Sequence, residues 1–202
     1  MLEEIPVAGR VESVDYIRII TYLGPDLGVR SPLAVKDTLV VRQQIPALTV
    51  RNLAGKNVSV WDFKQKRNRV IALVRGNSPE TRRFVRNIVA HAAEWKERDA
   101  VAMIVFPETP PADLLEALPE DVIAGVDASG QAAERYLGEN AFGPSGIQRQ
   151  GVFVADRYGE LYARWVVGDD STFPGIPAIM KALEQIEIAC EECQPTHWPL
   201  EG

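Results

Sequence analysis

Both cysteines of the chain, Cys190 and Cys193, stand among its last thirteen residues, in the stretch "CEECQPTHWP". A Cys-x-x-Cys pair can serve as a redox dithiol, as half of a zinc site, or as two small buried residues. On a helix this spacing puts both sulfurs on one face, close enough for a disulfide after a modest backbone adjustment. The surroundings disfavour the thiolate. A helix carboxyl end is the negative end of the dipole, and Glu191 and Glu192 lie between the two cysteines, so both thiols are expected to titrate above the ordinary ~8.5. Such a pair suits receiving oxidation from a partner better than attacking peroxide directly. His197 adds a third zinc ligand, with the fourth to be found in Glu191, Glu192, His91 or a second chain. The sequence holds no second close pair, so neither a metal nor another cofactor is expected. In the packing alternative, Cys190, Cys193 and Trp198 close the last helix onto the body.

A second candidate lies earlier. Arg75, Arg82, Arg83 and Arg86 flank a predicted helix start, where guanidinium forks and free backbone amides both favour an oxyanion. The competing reading is a solvated basic face paired with Glu80 and Glu94. His91 falls on the same helical stripe as Phe84, Ile88 and Trp95 and is expected at the core edge rather than in a site. Glu108 and Asp127 follow apolar strands, where α/β ligands often bind, although Asp127 ahead of Ser129 equally suits a helix cap. "GPSG" at 143–146 lacks the Lys-Ser/Thr ending of a phosphate loop, and no nucleophile-elbow serine is present.

The elements that must position these residues follow from composition and pattern. A chain of 202 residues with 46% hydrophobic residues suits one packed domain with an appendage. A net charge of −6, spread along the chain, leaves no nucleic-acid footprint. No apolar run nears the ~20 residues of a membrane span, and "MLEEIPVAGR" does not read as a signal peptide, so a cytoplasmic protein with reduced thiols is expected.

"VESVDYIRIITYL" (11–23) keeps neither a strand nor a helix period, and the Gly- and Pro-rich "GPDLGVRSP" (24–32) reads as a linker. Residues 1–33 are therefore an expected N-terminal extension, and 34–202 the core domain. In the core, "NVSVWDF" (57–63) alternates like a strand, and "RVIALV" (69–74) and "AVAMIVF" (100–106) suit strands buried on both faces. Between them, apolar spacing over 78–98 predicts one helix, with Ser78 as N-cap and Pro79 at the first helical position. A short helix (111–119), a strand (121–126) and a helix (129–138) follow. Residues 150–167 read as two strands turning at Asp156 to Gly159, and 174–190 as a closing helix. Alternating strands and helices imply parallel strands with crossover helices.

A β-α-β half, a connecting helix, a β-hairpin and a closing helix are the layout of the thioredoxin fold. "QQIPALTVRNLAGKNVSVWDFKQKRNRVIALVRG" (43–76) resembles the opening of the redoxin family, the alkyl hydroperoxide reductase and thiol-specific antioxidant group. "GVFVADRYGELYARWV" (151–166) is similar to that family's late hairpin. The Cys-x-x-Cys before a Trp-Pro resembles the tail of some bacterial redoxin-like proteins. The resemblance implies an α/β, thioredoxin-like fold with a central mixed sheet flanked by helices, and antioxidant or thiol–disulfide oxidoreductase activity.

In that family the buried strand runs into a phrase carrying two cysteines. Here "RGNSPETRR" takes its place, with Pro79 and Arg82 at the cysteine positions, so any thiol chemistry falls to Cys190 and Cys193. Gly151 stands near the family's cis-proline position, and Arg149 lies close to where an arginine that polarises peroxide is expected. Arg75, Arg82 and Arg149 form the candidate anion site. The partners expected are a thiol-redox protein and a second copy of the chain in a homodimer, or, if the thiols are inert, whatever binds a non-catalytic interaction module.

Overall fold

The structure, a computed structural model, describes residues 39–76, 78–114, 118–127, 129–138, 141–143, 146–168 and 172–189. The extension expected at 1–33, with its ambiguous segment at 11–23, and the residues from Cys190 onward lie outside the described residues.

Seven strands form one mixed sheet. They are β1 (Thr49–Asn52), β2 (Asn57–Ser59), β3 (Asn68–Leu73), β4 (Ala100–Phe106), β5 (Val122–Val126), β6 (Gln150–Ala155) and β7 (Leu161–Val167), in the order β2-β1-β5-β4-β3-β6-β7. β3, β4 and β5 run parallel, while β1, β6 and β7 pair antiparallel. Every residue of β3 and β4 is buried, as their unbroken apolar runs predict for central strands.

Alternation divides these strands between two cores. Val70, Ala72, Ala102 and Ile104 face α1 (Pro79–Ala90), α2 (Ala92–Glu97) and α4 (Ile176–Ile188) through Phe84, Ile88, Trp95 and Ile179. Ile71, Leu73, Met103 and Val105 face α3 (Gln131–Leu137) and the entry loop through Tyr136, Leu137, Ile45 and Leu48. A mixed sheet with helices on both faces is the thioredoxin-like fold expected from the sequence.

Three local expectations need correction. The strand expected over 57–63 stops at Ser59, and Val60–Phe63 forms a 3-10 helix. The cause is a capping box. Ser59 Oγ accepts from Trp61 N at 3.2 Å, and Asp62 Oδ2 accepts from Ser59 N at 2.8 Å. The single helix expected over 78–98 breaks at His91, which ends α1 and begins α2. Side chains take up the carbonyls there: the His91 ring bonds Asn87 O at 2.7 Å, and the Trp95 indole donates to Ile88 O at 2.7 Å. In the segment 111–119, Ala112–Leu114 forms a 3-10 turn and Leu118 and Pro119 are non-helical, while 115–117 lie outside the described residues.

The sheet also contains a close approach that requires glycine. A Cβ on Gly125, where β5 meets β1, would lie 2.7 Å from Val50 Cβ and nearer still to its Cγ2. Gly125→Ala is therefore expected to cost ~1–3 kcal/mol in urea unfolding, with part of the loss recovered in Gly125→Ala/Val50→Ala. An unchanged midpoint in the single variant would contradict this packing.

Candidate functional site

At the carboxyl end of β3 the chain passes through Arg75 and Gly76 into α1. Gly76 adopts φ +56°, a left-handed conformation that glycine takes without strain. Ser78 is the N-cap, its Oγ accepting from Thr81 N at 3.1 Å, and Pro79 occupies the first turn on the exposed side. This start was legible because N-cap serine followed by proline is a purely local signal.

Behind the turn lies a buried polar cluster that the sequence reading did not single out. Thr81 is fully buried, and its Oγ1 lies 3.1 Å from Arg75 O and 3.3 Å from Gln150 Oε1. Gln150 Oε1 also accepts from Arg75 N at 2.9 Å, so the start of β6 is tied to the end of β3. The Arg75 guanidinium reaches Gln148 O at 3.4 Å. Only the Ser78-x-x-Thr81 spacing hinted at this network, since its other members come from β3 and β6.

The arginines divide among different partners. Arg82 Nη1 donates to Asp113 Oδ2 at 2.6 Å, so its ion pair is with the 3-10 turn after β4 rather than with Glu80 or Glu94. Arg83 and Arg86 are exposed. Arg149 is half-buried, and its backbone N–H donates to Ala141 O at 2.8 Å. The hydrogen bond from Arg82 holds the Asp113 carboxyl below its usual range. The folded-state value is depressed, so any stabilisation is present above the ordinary Asp pKa of ~3.9 and fades as pH falls through the lower folded value. Arg82→Gln is expected to return the Asp113 titration, followed by carboxyl NMR, toward the ordinary value. An unshifted curve would show that the pair does not persist in solution.

The remaining candidates fall elsewhere. His91 sits at the far end of α1 with its ring on Asn87 O, away from this turn. Asp127 caps α3: Oδ2 accepts from Ala132 N at 2.6 Å, and Oδ1 accepts from Ser129 N at 3.2 Å. Glu108 is exposed. Gly151 is enclosed, and a Cβ there would lie 2.9 Å from Phe153 Cε2. Among the described residues no group of three His, Cys, Asp or Glu side chains could hold a metal, and no helix is long and apolar enough to cross a membrane. Cys190 and Cys193 lie outside the described residues; α4 itself ends at Ile188, with Ala189 already extended.

Chemically, the α1 terminus offers hydroxyls, amides and guanidinium groups but no sulfur, because the chain's two cysteines are both in its tail. A threonine hydroxyl held between a carbonyl and an amide oxygen is a poor nucleophile, having no base beside it.

No protein-family model matches the sequence, and no curated protein matches it. Solved structures do resemble the fold. A peroxiredoxin-like protein from Aquifex aeolicus is 20% identical with a TM-score of 0.58, covering 75% of this chain and 90% of its own. The peroxidoxin BcpB from Mycobacterium tuberculosis is 15% identical with a TM-score of 0.60, covering 71% and 95%. The reduced 2-Cys peroxiredoxin from Plasmodium vivax is 11% identical with a TM-score of 0.61, covering 80% and 90%. At these identities the likeness establishes a peroxiredoxin-like thioredoxin fold, and fold alone does not assign an activity.

Proposed function

We propose that this chain is a redoxin-like protein that exchanges thiols and disulfides through Cys190 and Cys193, and that its α1 terminus is a structural turn rather than a peroxidase centre. One observation carries the second half. Ser78, Thr81, Gln150 and Asp113 take up the polar groups of the turn, and Pro79 and Arg82 stand where the redoxin resemblance places cysteines. On this reading Arg75, Arg82 and Arg149 brace the turn instead of binding an anion. Residues 1–33 are an extension to the 34–202 domain, and the partner is a thiol-redox protein.

A second reading, a non-catalytic interaction module acting as a homodimer, has one observation in its favour. β7 is the last strand in the sheet order; Leu161 at its start already bonds Arg42 N and Gln43 O, but beyond that no other strand of the described residues pairs with its outer side, and such an edge can accept another strand.

The two readings separate on peroxide and disulfide assays of wild type against Cys190→Ser/Cys193→Ser. The exchange reading expects reduction of a disulfide probe by wild type only, and no difference in peroxide clearance when reductant is supplied. Disulfide reduction equal in both chains refutes it and leaves the interaction module.

A further inference from the structure

A polar cleft of about 250 Å³ opens at the other end of the sheet from the α1 turn. Hydrogen bonds fix its walls around the amino end of β3. Lys66, just ahead of that strand, is held beside Arg157 of the β6–β7 turn by the bond from Gln65 N to Arg157 O at 2.7 Å. Two residues on, Asn68 N donates to Asp99 O at 2.7 Å and Asn68 Nδ2 to Arg98 O at 3.1 Å, which ties in the turn between α2 and β4. Arg98 then clasps the end of α4 through Glu184 at 2.8 Å and Glu187 at 3.4 Å. Two of the three non-glycine residues with positive φ among those described, Gln65 and Asp99, belong to these walls, so strained backbone is concentrated here.

The same bonds sort the charges of the lining by sign. Lys66 and Arg157, both exposed, form a positive pole. The Lys66 ammonium makes one long contact, 3.4 Å to Asp62 O, and has three protons to donate. On the α2–β4 turn and α4, the carboxylates of Glu97, Asp99 and Glu187 stand against the single guanidinium of Arg98, so this pole is negative. Among the described residues no three such side chains are grouped to hold a metal, so the negative pole is not a metal centre. A cleft with opposite poles orients a ligand that carries a carboxylate and an ammonium group. Ile186, packed against the core beneath α4, and Ala189 add an apolar strip to the lining that suits an aliphatic side chain. The volume lies just under the ~300–1,000 Å³ of drug-sized pockets, which suits a single small molecule rather than a folded partner.

We infer that this cleft binds a free α-amino acid with an aliphatic side chain. The carboxylate lies toward Lys66 and Arg157, the ammonium group toward Glu97 and Asp99, and the side chain along Ile186. Binding is reversible, forms no covalent bond and uses only residues of the described walls, so it stands apart from the thiol-exchange reading.

The probes are L-leucine, isocaproate, which is leucine without its ammonium group, and isoamylamine, which is leucine without its carboxylate. Isothermal titration of the full chain is expected to show one site for L-leucine, with each single-charge analogue bound at least about tenfold more weakly. Lys66→Glu/Arg157→Glu reverses two exposed charges outside the packed core and is expected to weaken L-leucine about tenfold. Glu97→Gln/Asp99→Asn, in which asparagine tolerates the left-handed backbone at position 99, is expected to weaken L-leucine and leave isocaproate unchanged. A chain that does not bind L-leucine overturns the inference. So does L-leucine affinity that both variants retain, or analogues that bind as tightly as L-leucine.

Discussion

In a chain whose two native cysteines are replaced by serine, a cysteine introduced as Pro79→Cys is expected to titrate at least about one unit below the ordinary ~8.5. Residue 79 lies in the first turn of a helix of twelve residues, where unpaired N–H groups present the positive end of the dipole. Arg82 is three residues on, although its charge is partly engaged by Asp113. A downward shift of one unit gives roughly ten times more thiolate at neutral pH, read as the midpoint of iodoacetamide alkylation rate against pH. Proline contributes no hydrogen bond at this position and is exposed, so the variant should fold. A midpoint at or above 8.5 would mean that Glu80 and Asp113 cancel the dipole, and that the turn lacks the electrostatics of a thiolate site as well as the sulfur.

The largest expected effect on stability is at Arg69. This arginine is the second residue of β3 and is 1% exposed. Its guanidinium donates to Val60 O at 3.2 Å and to Asp156 O, and it lies 5.6 Å from the centre of the Trp61 ring. It thus clamps the 3-10 helix and the β6–β7 turn onto the central sheet. Desolvation pulls its pKa down to about 10, with Asp156 and Tyr136 opposing, so it remains charged at neutral pH and its burial is a cost. Arg69→Met removes that cost but strands two buried carbonyls, each worth ~1–3 kcal/mol when unpaired. A net loss of ~2–4 kcal/mol in denaturant unfolding is expected. A variant as stable as wild type would show that desolvation of the guanidinium outweighs its bonds, as in other buried charged groups that tolerate hydrophobic replacement.

Local signals explain which parts of the fold were legible in the sequence. Ser78–Pro79 marked the start of α1, the apolar runs marked β3 and β4, and the turn from Asp156 to Gly159 marked the last hairpin. In that turn Asp156 Oδ1 accepts from Tyr158, Gly159 and Glu160 N at 2.9, 2.7 and 2.8 Å. The redoxin resemblance then ordered these pieces, which periodicity alone could not do. What was missed depends on competition or distance. At 57–63 a capping box overrode a strand-like alternation, and at His91 two side chains took carbonyls from an otherwise helical pattern.

The candidate site was less legible than the fold. The ion pair of Arg82 with Asp113 joins residues 31 apart, and the bond from Thr81 to Gln150 joins residues 69 apart. Neither spacing leaves a trace in the sequence. The cleft beneath α4 is assembled from residues 66 to 189, so no motif could announce it. The cysteines were plain in the sequence from the start, and their chemistry is decided by experiment rather than by α1.

That experiment is a thiol count by alkylation and intact mass on the reduced chain, before and after one equivalent of a disulfide oxidant, with Cys190→Ser as control. The exchange reading predicts rapid, reversible loss of both thiols as an intramolecular disulfide in wild type and none in the control. Two thiols that survive for minutes in wild type would contradict it.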